Sequence, residues 1–356
     1  MKIAAETTSA NKSPAKKSPA RRLVAQAPCR VDLAGGTLDI WPLYLYHPGA
    51  VTVNFAIDRF ARCLIEPRQD SRIELRSRDL GVEESFASWD ALRAAGRYRL
   101  PALALAVRYF APQTGLTITT HSEAPAGAGI SGSSALMIAL ATAMHRLNGG
   151  ARLPLPKIRE IAQNLETQVI RVPTGCQDYY PALYGGVNAI EMNESGVHRN
   201  PIAVDFEELN ERAVLAYTGV PRNSGINNWE VMKAHLNGDR AVQKNFDRIS
   251  AIAISMRRAM ELADWNEAGR LLREEWSHRR KNAPGISTPL IDRLVEVTRK
   301  AGVKGAKVCG AGGGGCVFFL VERGARERVA AIIQREGAQV LPVRVAPRGV
   351  DVAASA

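Results

Sequence analysis

Glu123–Leu136 reads EAPAGAGISGSSAL, and its glycines at 127, 129 and 132 spell G-x-G-x-x-G. A β-branched run, GLTITTH (115–121), precedes this loop, and an apolar run with helical spacing, SSALMIALATAMHRL (133–147), follows it. The order strand, glycine loop, helix turns unpaired backbone N–H groups and the positive end of a helix dipole toward an anion. A dinucleotide site would add an acidic residue about 20 positions on, for the ribose hydroxyl. None occurs between Glu123 and Glu160. Serines at 131, 133 and 134 open the helix instead, and hydroxyls there either cap it or ligate a phosphate-bound magnesium ion. The loop lacks the lysine of a Walker A motif, and neither H-R-D nor D-F-G occurs in the chain. Two readings stay open from the loop alone: a phosphate loop for ATP, or a tight turn with serine caps.

Outward from the loop, 356 residues at 46% hydrophobic content suffice for two domains with buried cores. The most apolar stretches, SALMIALATAM and CVFFLV, are shorter than the roughly 18–20 residues a bilayer span needs, so no membrane partner is expected. The first 22 residues lack the apolar core of a secretory signal and read as a disordered basic tail, which leaves the protein in the cytoplasm. That tail carries +5 of the formal net charge of +12. The body is therefore only moderately basic, which suits an anionic small molecule; nucleic acid would meet the tail through non-specific charge alone. Five cysteines with no C-x-x-C pair fit reduced thiols rather than a disulfide frame or zinc site. The six histidines show no metal spacing and receive no role.

Leu23–Arg68 reads as several strands, and Leu100–Phe110 and Leu155–Ile170 as helices. In the second helix Ile158, Ile161, Leu165 and Val169 form one apolar stripe, and Glu166 lies on its edge, where a lone carboxylate calls for a cation. Regularity fades over Asn193–Glu211, which places a domain boundary there. Helices are expected at 229–236, 242–262, 265–276, 288–301 and 325–335, with strands at GAKVCG, GCVFFLV and AQVLPVRV (338–345).

Three further segments carry a resemblance. PAGAGISGSSA (125–135) resembles the second motif of the GHMP kinases, P-x-x-x-G-L-G-S-S-A. APCRVDLAGGTLDI (27–40) is similar to their first motif, KVCGAGGGGCVFFL (307–320) to their third, and GCQDYYPALYGGVNAIE (175–191) to the segment bearing the catalytic aspartate. The opening AGGTLDI and the runs YTGVPRNS and LLREEWSHRRKNAPGISTPLID resemble the branch of D-glycero-D-manno-heptose 7-phosphate kinase and fucokinase. The resemblance implies an α+β, two-domain GHMP kinase fold. Residues 23–205 would form an N-terminal mixed β/α ATP-binding domain, and 206–350 a C-terminal ferredoxin-like α/β domain.

It also implies ATP and Mg2+ as cofactors and a sugar or sugar phosphate as acceptor, phosphorylated at its anomeric hydroxyl, for a protein that is a monomer or homodimer. Asp178 would orient or deprotonate the acceptor, with Arg30 beside the transferred group. Pro125, Gly127, Ala128, Gly129, Ile130, Ser131, Gly132, Ser133 and Ser134 would bind ATP, and Ser133 with Glu166 the metal. Gly36, Asp39, Gln177, Arg222 and Gly312–Gly314 (Gly312, Gly313, Gly314) would meet the substrate. Against the family pattern, Ser131 and Gly132 stand exchanged. Two alternatives are a mevalonate-type kinase of an isoprenoid alcohol and a catalytically silent nucleotide- or sugar-binding protein.

Overall fold

A computed structural model describes residues 22–149, 153–221 and 224–355. The expected basic tail, apart from Arg22, and Arg222 lie outside the described residues. In chain order the strands are β1 (Arg22–Ala34), β2 (Val51–Pro67), β3 (Ile73–Ser77), β4 (Val82–Phe86), β5 (Leu116–Ser122), β6 (Val187–Asn193), β7 (Gly196–Ile202), β8 (Ala213–Tyr217), β9 (Val303–Val308), β10 (Cys316–Val321), β11 (Gln339–Leu341) and β12 (Asp351–Ser355). The helices are α1 (Trp89–Ala94), α2 (Pro101–Phe110), α3 (Gly132–Leu147), α4 (Leu155–Ile170), α5 (Tyr179–Tyr184), α6 (Phe206–Arg212), α7 (Ser224–Leu236), α8 (Arg240–Glu261), α9 (Trp265–Arg279), α10 (Pro289–Thr298) and α11 (Arg326–Arg335).

The first sheet runs β12-β1-β2-β5-β3-β4, with β6 on β2 and β7 on β6. β2 is long enough to serve two partners on one edge: Val51–Phe55 pairs β6, and Ala61–Pro67 pairs β5. The second sheet, β11-β8-β10-β9, is antiparallel throughout and has the strand order of a ferredoxin-like βαββαβ unit. The architecture is thus mixed α/β in two sheets, as the resemblance implied.

α3 is coated with Ala, Leu, Ile and Met on most faces, so it is buried between the β1–β2 face and helices α2 and α4. This pins its first turn, and the glycine loop before it, against the sheet. One core joins the two sheets: Phe55 of β2 meets Phe318 of β10 edge-on, with ring centroids 5.6 Å apart.

AQVLPVRV does not form one strand. Pro342 has no N–H to give to the ladder, so β11 stops at Leu341. The chain then returns to the first sheet, where the Ala346 N–H donates to the Ala56 carbonyl at 2.9 Å and β12 pairs antiparallel with β1. β12 lies beyond the segment 206–350 expected for the second domain.

α7 and α8 pack Val231, Met232, Phe246 and Ile249 against Leu38, Ile40 and Leu43 of the turn after β1. Histidines assigned no role fasten this joint: His47 hydrogen-bonds Asp247 and His235, each at 2.8 Å. Burial, then the neighbouring His47, holds the His235 imidazole below its ordinary pKa. The joint fixes the turn that carries Asp39.

Candidate active site

A cavity of about 460 Å³ opens between the start of α3, the end of β1, the segment Pro173–Asp178 and the end of α9. Pro125, Gly127, Ala128, Gly129, Ser131, Gly132, Ser133 and Ser134 line it. Ile130 does not: its side chain is in the core, because its carbonyl faces β1 and accepts the Arg30 N–H at 3.0 Å. Gly132 is required by space, since a Cβ there would stand 2.9 Å from the Ala124 Cβ. The second glycine run braces the loop from behind. The Cys316 N–H donates to the Ala128 carbonyl at 2.7 Å, and a Cβ on Gly315 would meet the same oxygen at 2.7 Å.

Gly312, Gly313 and Gly314, expected at the substrate, back onto Ile286 and Val220 instead. Gly310 and Ala311 supply that part of the cavity wall. The positive φ values of Gly312, Gly313 and Gly314 let the backbone fold tightly enough for their contacts with Ile286 and Val220.

Arg30 and Asp178, 148 residues apart, form the centre. The Arg30 Nε and Nη2 both donate to Asp178 Oδ1, at 2.9 and 2.6 Å, while Nη1 donates to the Gly129 carbonyl at 2.8 Å and Asp32 Oδ1 at 3.3 Å. Arg30 is 2% exposed, so these charge-assisted bonds form away from water. One guanidinium thus ties the aspartate to the glycine loop.

Behind it lies a chain of buried groups that motif reading missed. Asp32 accepts from the Lys307 Nζ at 2.5 Å and the Gly310 N–H at 3.0 Å; Lys307 also donates to Glu275, 3.3 Å away. Glu275 accepts from Arg279 at 3.4 Å, and Arg279 donates to the Gly310 carbonyl at 2.7 Å and Thr37 Oγ1 at 3.2 Å. From Asp178 to Arg279 the signs alternate across six side chains. Burial alone would raise the Asp32 carboxyl, but Lys307, Arg30 and Arg279 outweigh it and hold it well below the usual carboxylate range. Asp32 had one local signal: two residues after Arg30 on a strand, it shares that residue's face.

Ser133 donates to Glu166 Oε1 at 2.5 Å, and Tyr179 to Oε2 at 2.7 Å. Burial pushes the Glu166 carboxyl up, against the pull of these hydroxyls.

On the opposite wall, Asp39 Oδ2 accepts the Gln177 N–H at 2.9 Å and Oδ1 the Thr37 N–H at 3.1 Å. Burial, then the charge of Asp178, pushes the Asp39 carboxyl up to about 6. Gly36 sits behind it, where a Cβ would stand 2.5 Å from Arg279 Nη1. A Cβ on Gly175 would fall 1.9 Å from Asp39 Oδ2. Gly175→Ala is therefore expected to swing this carboxylate away. If Asp39 holds the acceptor, kcat/KM for it drops about 10²-fold while nucleotide affinity stays level, as steady-state kinetics in each substrate would show.

Two family models match the chain: the GHMP kinases N terminal domain over residues 97–186, and GHMP kinases C terminal over 256–339. The chain belongs to the GHMP kinases. The N-terminal match runs from α2 to the end of α5 and takes in the loop, Glu166 and Asp178; the C-terminal one includes Glu275, Arg279, Lys307 and the second glycine run. This GHMP kinase is 26% identical to the D-glycero-alpha-D-manno-heptose 7-phosphate kinase of Campylobacter jejuni, over 91% of this chain and 97% of that protein. It is also 26% identical to the mevalonate kinase of Thermococcus sibiricus, over 93% and 98%. The crystal structure of a D-glycero-D-manno-heptose 1-phosphate kinase from Bacteroides thetaiotaomicron has the same fold, at TM-score 0.74 and 24% identity, covering 94% of this chain and 99% of that one. No helix among the described residues is long and apolar enough to cross a membrane.

Proposed function

We propose that this GHMP kinase transfers the γ-phosphoryl group of ATP, with Mg2+, to a hydroxyl of a sugar or sugar phosphate, with a heptose 7-phosphate as first acceptor and its anomeric hydroxyl as the reacting group. One observation carries the reading. Both Arg30 donors use Asp178 Oδ1, and Oδ2 accepts from no protein donor among the described residues, on a side chain that lines the cavity. That oxygen is available to an acceptor hydroxyl.

Phosphoryl transfer asks for positioning and charge neutralisation more than covalent chemistry. The Asp178 carboxylate orients the hydroxyl and takes its proton as the oxygen attacks the γ-phosphorus; the bond from that phosphorus to the bridging oxygen breaks, ADP leaves, and the proton ends on Oδ2. Arg30 anchors that carboxylate through Oδ1 and faces the site where charge accumulates. The first N–H groups of α3 receive phosphate oxygens. Ser133 and Glu166 are the residues that would hold Mg2+: both offer hard oxygen donors beside the loop, and this ion takes one or two protein ligands and completes its shell with water and phosphates. Bound there, Mg2+ neutralises phosphate charge. Asp39, Thr37, Gln177, Asn228 and Arg279 give the acceptor wall a polar character that suits a polyhydroxyl ligand better than an isoprenoid alcohol. The buried Gln177 Oε1, with no partner, is free to accept from such a hydroxyl.

ADP release measured over heptose 7-phosphate, fucose, galactose and mevalonate tests the assignment. Turnover with mevalonate alone, or with no acceptor, overturns the sugar reading. The Asp39 carboxyl adds a pH signature. With its folded pKa raised to about 6, it binds hydrogen-bond donors best once ionised, so KM for the acceptor is expected to fall as pH rises through about 6. Asp39→Asn should abolish that inflection. The sign for stability is opposite: the folded state binds more protons than the unfolded one between about 4 and 6, so this group's contribution declines over that window.

A further inference from the structure

His47 closes the turn after β1 and His235 stands near the end of α7. Their Nε2 atoms are 2.8 Å apart, and His47 Nδ1 lies 2.8 Å from Asp247 Oδ1 on α8. A carboxylate only accepts, so His47 Nδ1 carries a hydrogen; the Nε2 of the neutral ring is then bare and accepts from His235 Nε2–H. That leaves His235 Nδ1 bare, buried and without a partner among the described residues. Both rings are buried, set edge-on to each other, and Phe246 packs against both. Among the described residues, the charged or titratable groups facing the pair are Asp247 from α8 and Tyr46 from the turn, whose ring centroid is 5.6 Å from that of His235. Gln243 of α8 donates to the His235 carbonyl.

This arrangement has no place for one more proton. Three N–H bonds would then be spread over four ring nitrogens. If His235 Nδ1 stays bare, both Nε2 atoms carry hydrogens and face each other donor to donor. If either Nε2 stays bare, His235 Nδ1–H becomes a buried donor on a cation with no acceptor. Baring His47 Nδ1 adds the loss of Asp247 to the donor clash. Each cost disappears once water reaches His235, which requires α7 to leave the turn. We propose that the His47–His235 pair is a proton-operated latch: it docks α7 on the turn that carries Asp39 while both rings are neutral, and releases α7 when one proton enters the pair. Release matters at the active site because α7 carries Asn228 in the cavity wall, and its Val231 and Met232 pack against Leu38 and Ile40, which flank Asp39. A separate cavity of about 390 Å³ opens beside the latch, lined by Tyr46, His47, His235, Leu236, Gln243 and Asp247, so a small displacement of α7 admits water. Burial, then His47, holds the docked His235 ring below its ordinary value of 6.5, and a released ring regains that value, so the released state binds more protons. The latch is therefore closed above about pH 6.5 and weakens as pH falls below it.

Hydrogen–deuterium exchange of the full chain, with times corrected for the intrinsic pH dependence of amide exchange, reads the latch directly. Between about pH 7.5 and about pH 5, protection over α7 is expected to fall about tenfold or more, since a one-proton linkage gives up to about tenfold per pH unit. Protection over α3 should hold. His235→Gln supplies an amide that donates to neutral His47 or accepts from its protonated form, so its α7 protection should be the same at both pH values. Constant α7 protection in the wild type, an equal loss over α3, or an equal loss in His235→Gln overturns the proposal; the first two need no variant. The consequence for the acceptor rests on the kinase reading. The wild-type KM for the acceptor should exceed that of His235→Gln by about threefold or more near pH 5 and match it near about pH 7.5, because only the docked fraction binds well. The Asp39 inflection is common to both proteins and cancels in the ratio. Equal KM values near about pH 5 overturn the coupling to the acceptor wall. Turnover with no acceptor overturns the kinase reading and leaves the latch standing.

Discussion

Asp178→Asn is expected to lower kcat about 10²–10⁴-fold while nucleotide affinity changes little. Asparagine keeps an oxygen for the Arg30 Nε and Nη2, so the link from Arg30 to the Gly129 carbonyl and the loop should persist. What it lacks is a second carboxylate oxygen that can take a proton. Single-turnover kinetics, with nucleotide binding measured separately, would divide the two effects. Near-normal turnover would remove Asp178 from the reaction and leave Arg30 as a structural cation.

Lys307→Met should have the largest effect on stability, about 3–5 kcal/mol, because it strips a buried ion network of one partner. Lys307 is fully buried and is the cation shared by Asp32 and Glu275, which sit on different elements. Without it the three carboxylates of the chain, Asp178, Asp32 and Glu275, retain only Arg30 and Arg279, and one negative charge is left uncompensated. Urea denaturation would read the loss. Adding Asp32→Asn to Lys307→Met should recover part of it, since the surplus negative charge is then gone; a double variant less stable than Lys307→Met would argue that packing rather than charge sets the cost. The pH dependence has a definite sign. Asp32 is held below its ordinary value of 3.8, so its contribution is fully present above about pH 4 and is lost as pH falls below that.

Much of the frame was legible because it is local. α3 and α4 announce themselves by apolar periodicity, and β5 by its alternating β-branched residues. The stripe that places Glu166 inward is the same local signal, and the structure buries that carboxylate. The expected pairs Arg30–Asp178 and Ser133–Glu166 do meet. Spacing did not reach the groups whose partners are remote. Lys307 and Asp32 are 275 residues apart, and Arg279 reaches Thr37 across 242. A lysine in a strand reads as surface until the fold surrounds it with carboxylates. Ile130 and Gly312–Gly314 lie off the cavity lining for a related reason: a motif names a stretch of chain, while the backbone direction of each residue decides which side of the loop it faces.

The return of the chain to β12 bears on how the protein is made. β1 carries Arg30 and Asp32, and its outer edge pairs with Asp351–Ser355. On the ribosome that edge stays open until the whole of the second sheet has been synthesised. The strand bearing Arg30 is the first to be translated of the described elements, and it acquires its last neighbour only when residue 355 has emerged.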